Sequence, residues 1–219
     1  MSSYGLTFVN NSDVVILDSE FSRLVVVARG TWSGNGSGVG VSFPTVVTTA
    51  EPPLVFVRPN QSNTFCFCKI SGSPGAWTGF SFVGISGQGT SGSWFSAAFK
   101  SNETAKYGIR LWDASAKLLF DNGTPAAQFT RTIAGWDFIG SEQTSQGVYR
   151  LSWTSYSPLS TGDYMLLNNI AMDVAGSTSR QGNMYALWQY ENNRLVMQAV
   201  GVDLQRTLYT PVVFAKPIA

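Results

Sequence analysis

The chain contains no histidine, only two cysteines, and few charges: 14 Lys and Arg and 13 Asp and Glu in 219 residues. Without histidine the commonest general base is missing, and with it the Ser-His-Asp and Cys-His nucleophile systems. Zinc would find neither a histidine nor a third cysteine to complete a tetrahedral set. Basic residues are scattered singly from Arg23 to Lys216. No cluster exists to neutralise phosphates, so nucleic acid is not an expected partner. Long apolar runs are absent as well; Leu24–Ala28 is strand-sized, far short of the roughly 20 residues of a helical membrane span. Met1-Ser2-Ser3-Tyr4 lacks the basic and apolar regions of a signal peptide. The expectation is a protein made in the cytoplasm and kept there or carried out within a particle, without membrane insertion. Glycine motifs of catalysis fail too. Gly84-Ile85-Ser86-Gly87-Gln88 breaks the nucleophile elbow at its last position, and Gly34–Gly40 lacks dinucleotide spacing and the lysine of a phosphate loop. Paired acids are the remaining route to catalysis. Asp13, Asp113, Asp121 and Glu191 fall at expected turns, and Asp137, Glu142, Asp163 and Asp173 have no partner legible in sequence. The chain therefore reads as non-catalytic, with no cofactor and no metal.

Hydrophobic residues supply 44% of the chain, while charged residues supply 12%, against about 25% in ordinary soluble proteins. Ser, Thr, Asn, Gln and Gly fill the difference. Such a surface suits contact with other subunits, because no ion is desolvated when it forms. Apolar and polar residues alternate between turn signals, and no segment sustains a helical repeat. This pattern predicts an all-β protein, an antiparallel β-sandwich of jelly-roll-like or Ig-like kind. Strands are expected at Leu6–Val9, Val14–Leu17, Leu24–Ala28, Val39–Phe43, Leu54–Val57, Phe65–Ile70, Gly79–Ile85 and Gly147–Trp153. A hairpin follows at Met184–Tyr190 and Arg194–Val200, turning at Glu191-Asn192-Asn193. Cys66 and Cys68, two apart on one strand, are expected on one face as unlinked buried thiols. Trp77, Trp94, Trp136, Trp153 and Trp188 lie among small polar residues. The core is their favoured place; stacking on a sugar or anchoring an interface is the alternative.

An internal echo organises the chain. Tyr4-Gly5-Leu6 and Asp18 recur 103 positions later as Tyr107-Gly108-Ile109 and Asp121. Phe8/Leu111, Val15/Leu118, Ile16/Leu119 and Leu17/Phe120 match between them, and Ser12 is echoed by Ser115. Equal spacing of a whole strand–turn–strand unit predicts two similar β-lobes, 1–105 and 106–219, with one large sandwich as the alternative.

The stretch Tyr4-Gly5-Leu6-Thr7-Phe8-Val9-Asn10-Asn11-Ser12, ending in Asp18-Ser19, resembles the opening of a family of tailed-bacteriophage virion proteins. Leu54–Pro59 resembles a mid-chain segment of the same family, and Asp13 stands where many of its turns carry glycine. The resemblance implies a minor tail, tail-tip or fibre-associated component located in the virion tail, acting by self-association and docking to other tail proteins. It would be a homo-oligomer, with a trimer among the candidate states. A carbohydrate-binding or receptor-binding module that meets a host-surface glycan is the alternative, and a capsid decoration protein a weaker one. Tyr185, Leu187, Trp188 and Tyr190 are the candidate interface or glycan contacts, because both faces of their strand carry large apolar side chains.

Overall fold

The segment 182–189 shows why this sequence makes sheet. Met184, Ala186 and Trp188 are buried, while Asn183, Tyr185, Leu187 and Gln189 between them are not. Side chains of a strand alternate between faces, so a period-2 sequence covers a core on one side only. A computed structural model describes residues 7–9, 11, 15–18, 23–84, 88–155, 159–160, 162–170, 173–174 and 182–218, with the backbone alone at 7–9, 15–18 and 173–174. The Tyr4-Gly5-Leu6 opening, most of the first turn, and Ile85-Ser86-Gly87 lie outside the described residues.

In chain order the first nine strands are β1 (Thr7–Val9), β2 (Val15–Asp18), β3 (Leu24–Gly34), β4 (Val39–Val47), β5 (Leu54–Pro59), β6 (Asn63–Ser73), β7 (Ala76–Val83), β8 (Thr90–Phe99) and β9 (Arg110–Trp112). After them come β10 (Leu118–Asp121), β11 (Ala126–Ile133), β12 (Asp137–Ser145), β13 (Val148–Ser155), β14 (Tyr164–Leu166), β15 (Asp173–Val174), β16 (Gly182–Gln189), β17 (Arg194–Gly201) and β18 (Val212–Ile218). A 3-10 turn at Asn168–Ile170 is the helical element of the described residues. The protein is an all-β, antiparallel sandwich, as the alternation predicts.

One large sheet runs β11-β18-β14-β5-β8-β3 and closes on itself through Ala126 opposite Val25. The other runs β12-β13-β17-β16-β6-β7-β4, with β15 beside β16. Trp32, Phe65, Phe80, Phe82, Trp94 and Phe214 lie in the core between them. Several of these rings meet edge to face, Trp32 and Phe82 at 5.7 Å. A second cluster fills the closed sheet: all six strands contribute, with Phe56 stacked on Phe95 at 4.7 Å and reaching Phe129 on the opposite strand β11. Gly92, on β8, leaves room for its neighbours β3 and β5 in the same sheet, since a Cβ there would lie 2.2 Å from the Trp32 ring and 2.4 Å from the Arg58 carbonyl.

Strands from either side of residue 105 are neighbours in both sheets: β5 pairs with β14, β6 with β16, and β3 with β11. The sheets therefore do not divide at 105/106, where two lobes were expected, and the pairing is that of the single large sandwich. What repeats is a hairpin. β1 pairs with β2 as Thr7–Asp18, Phe8–Leu17 and Val9–Val15, and β9 pairs with β10 as Arg110–Asp121, Leu111–Phe120 and Trp112–Leu118. Every partner in the second set lies 103 residues after its counterpart, and the register shift falls at the same place. Each hairpin is its own two-stranded sheet, outside the two large ones.

The cysteines are free and buried, as expected, but not through simple alternation. A bulge between Cys66 and Lys69, with Phe67 at φ 48°, turns the Phe67 ring outward and sends Cys68 into the core. Cys66 Sγ donates to the Val83 carbonyl at 3.2 Å.

Candidate functional site

Tyr185, Leu187, Trp188 and Tyr190 do not form one patch. Trp188 is buried in the core, and β16 is an interior strand, bonded to β6 and β17. Tyr185 and Leu187 are half-buried on the outer face, where the Tyr185 ring meets Phe67 at 6.2 Å. Tyr190, at the turn, is exposed. That turn forms as expected, with Asn193 at φ 47° donating its N–H to the Tyr190 carbonyl.

The second hairpin is the more distinctive arrangement. Its organising group is the buried carboxylate of Asp121. Oδ2 accepts from Arg110 Nε at 2.8 Å and from the Thr104 N–H at 3.2 Å. Oδ1 accepts from the Gly123 N–H at 2.8 Å, the Ala105 N–H at 3.1 Å and Thr104 Oγ1 at 3.0 Å. Desolvation pushes this carboxyl up, but the donors of Arg110, Gly123, Ala105 and Thr104 outweigh it and hold the group well below the usual carboxylate range. The hairpin register sets up the ion pair, because Arg110 stands directly opposite Asp121. Arg110 also donates to the Ala105 carbonyl at 2.7 Å and to Glu103 at 2.8 Å, tying the 103–105 segment to the hairpin.

The Tyr-Gly-Ile motif has a structural reason in its glycine. Gly108 has φ 138°, and a Cβ there would fall 1.9 Å from Oδ1 of Asn122. That same Oδ1 accepts the Ile109 N–H at 3.0 Å, while the Asn122 N–H bonds the Ile109 carbonyl. At the other end of the hairpin, Asp113 Oδ1 accepts the N–H groups of Ser115 and Lys117 and folds the turn, leaving Ala116 at φ 61°. Ala116 is the repeat equivalent of Asp13, the position read as commonly glycine; Asp13 itself lies outside the described residues.

These constraints leave large apolar side chains in solvent. Tyr107 is 90% exposed, Ile109 56% and Trp112 48%. With Lys106, Arg110 and Asn122 they line a cleft of 490 Å³. Phe120 faces Arg23, whose guanidinium carbon lies 5.4 Å from the ring centre, so the hairpin rests on the chain just before β3.

Two further acids are also engaged. Asp163, buried, accepts from Arg131 Nε at 3.0 Å and Thr130 Oγ1 at 2.9 Å, and Glu142 pairs with Arg150 at 3.1 Å. Among the described residues no three His, Cys, Asp or Glu side chains gather as a metal site. Trp77, Trp94, Trp153 and Trp188 are buried, and Trp136 is half-buried with its Nε1 donating to the Thr210 carbonyl. The tryptophans named in sequence therefore belong to the sandwich, whereas Trp112 was not singled out. No protein-family model, curated protein or solved structure matches the chain.

Proposed function

We propose that this chain is a structural, non-catalytic component of a phage virion, at the tail tip or fibre attachment, which self-associates and docks through its Tyr-Gly hairpins. One observation carries the reading: the same hairpin occurs twice, in identical register, outside both large sheets. A sandwich does not need these hairpins for its core, so their retention in two copies is accounted for by contact. The described hairpin presents Tyr107, Ile109 and Trp112 to solvent, and large exposed aromatics of this kind anchor interfaces. Few charges and the resemblance of the opening stretch to tail proteins support the same reading.

The test is to size the chain by light scattering, alone and mixed with tail proteins of the particle that carries it. Tyr107→Ser together with Trp112→Ser should abolish association while the circular dichroism spectrum is kept. Association unchanged by that pair would remove the hairpin from the docking role. A second reading, glycan binding, is favoured by the cleft itself, where two exposed aromatic rings flank Asn122 and Lys106. A glycan array in which wild type binds a sugar and Trp112→Ala does not would favour that reading.

A further inference from the structure

A second cleft shares Lys117 with the turn of this hairpin, but its apolar wall lies outside the hairpin. Its volume is 590 Å³, and its walls are Leu24, Pro52, Leu54, Ala97 and Phe99. Leu24, Leu54 and Ala97 also belong to the cluster that fills the closed sheet, so the cleft is an open end of that apolar interior. Pockets of this size, apolar with a few polar groups at the rim, hold small organic ligands, and the mouth of a barrel is a common place for them.

The rim decides the ligand's charge. Lys100 and Lys117 both border the cleft. The four ion pairs of the described residues all use arginine, so neither lysine is neutralised by an acid there. Lys100 gives one donor to Thr48 Oγ1 at 3.1 Å, which leaves two of its three for a ligand. Lys117 is carried by the turn that Asp113 folds. Among the described residues Glu51 is the single acid at the rim. Asn168 braces the wall from both ends of its amide, accepting the N–H of Val55 in β5 and donating to the carbonyl of Pro53 just before it.

We propose that this cleft binds a small amphipathic anion, an alkyl chain or ring with one carboxylate or sulfate. The apolar part lies against Leu24, Leu54 and Phe99, and the head group lies between Lys100 and Lys117. Displacing water from the apolar wall supplies affinity, while the two ammonium groups select an anion over a neutral or cationic head.

Calorimetric titration of the full chain with decanoate tests this, with decyl maltoside and decyltrimethylammonium as head-group controls. One decanoate per chain is expected, bound more tightly than either control. Lys100→Gln combined with Lys117→Gln should weaken decanoate about tenfold, the range for two exposed charge pairs. Glu51→Gln should act in the opposite direction and tighten it about threefold. Leu54→Trp, which fills the cleft, should abolish binding, and the charge variants decide the matter should that variant fail to fold. Equal affinity for the three head groups would overturn the proposal, as would indifference to the lysines. So would affinity weaker than about 1 mM for decanoate, or binding confined to a peptide ending in a leucine carboxylate.

Discussion

Replacing Gly108 by alanine should melt the second hairpin without unfolding the sandwich. The residue sits at φ 138°, a region open to glycine and closed to side chains, where strain runs to about 1–3 kcal/mol. The new methyl group would also lie 1.9 Å from Asn122 Oδ1. Asn122 can escape by rotating, but it then gives up the Ile109 N–H it accepts at 3.0 Å, a loss of about 0.5–1.5 kcal/mol. The combined cost is roughly 2–4 kcal/mol, placed on a two-stranded sheet of a kind that is at best marginal by itself. Native-state hydrogen exchange reads this directly. Protection at Ile109, Asn122 and the β9–β10 pairs should fall about thirtyfold to a thousandfold, while amides of β5, β8 and β16 keep theirs. Two results would refute the reasoning. Unchanged protection in the hairpin would mean that Asn122 and the backbone adapt without cost. A melting temperature lowered by more than about 10 °C would mean that the hairpin is part of the sandwich's cooperative unit.

Ala116→Gly should do the reverse, stabilising the hairpin by about 0.5–1 kcal/mol, because Ala116 holds φ 61° and glycine adopts it freely; slower exchange across β9 and β10 is the readout. Trp188→Ala, in the core, should cost about 3–5 kcal/mol by urea denaturation. Leu187→Ser, one residue away on the half-buried face, should cost less than half of that, and equal costs would contradict the strand's facing. Burial raises the Cys66 thiol from its ordinary 9.0 to about 11 and raises Cys68 further. The folded chain thus keeps protons that the unfolded chain releases, so this contribution is intact below pH 9 and is lost as pH rises from 9 toward 11. Substituting both cysteines by alanine should flatten that part of the urea-midpoint curve relative to wild type, and parallel curves would argue against buried thiols.

Much of the sheet was legible because alternation survives wherever one face is wet. Leu54–Val57 and Phe65–Ile70 fall inside strands found in the structure, and the Met184–Val200 hairpin matches β16 and β17 except at Tyr190, which belongs to the turn. β8 was missed for a physical reason. It lies between β3 and β5, is buried over most of its length, and is built of Gly92, Ser93, Ser96, Ala97 and Ala98 around two aromatics. A small-residue strand buried on both faces has no period to read and resembles a loop. β12 was missed for the opposite reason, being exposed on nearly every residue of a sheet edge. The two-lobe expectation failed because the echo measured a hairpin, and sequence similarity over fifteen positions carries no information on which sheet the later strands join. Aromatic density drew attention to Trp188, which alternation places in the core. The better signal for the site was the Tyr-Gly-Ile repeat itself. Once its register is drawn, Arg110 falls opposite Asp121, whereas the Arg131–Asp163 pair has no local pattern from which it could have been inferred.

The two hairpins share backbone register but not electrostatics. In the second, Arg110 opposes Asp121 and the carboxylate is shared among arginine and backbone donors. In the first, the residue opposite Asp18 is Thr7, which brings no charge. The equivalent segments differ further in sequence: 3–18 contains Asp13 and Asp18 and no base, while 106–121 contains Lys106, Arg110 and Lys117 beside Asp113 and Asp121. Geometry is thus repeated while charge is not. An ion placed to suit Arg110 or Lys117 gains nothing from Thr7 or Val14. In the docking role proposed above, charge would set which neighbour a hairpin prefers and how fast they meet. For a chain with so few charges elsewhere, the difference between its two hairpins is where discrimination between neighbours can be built at least cost to the fold.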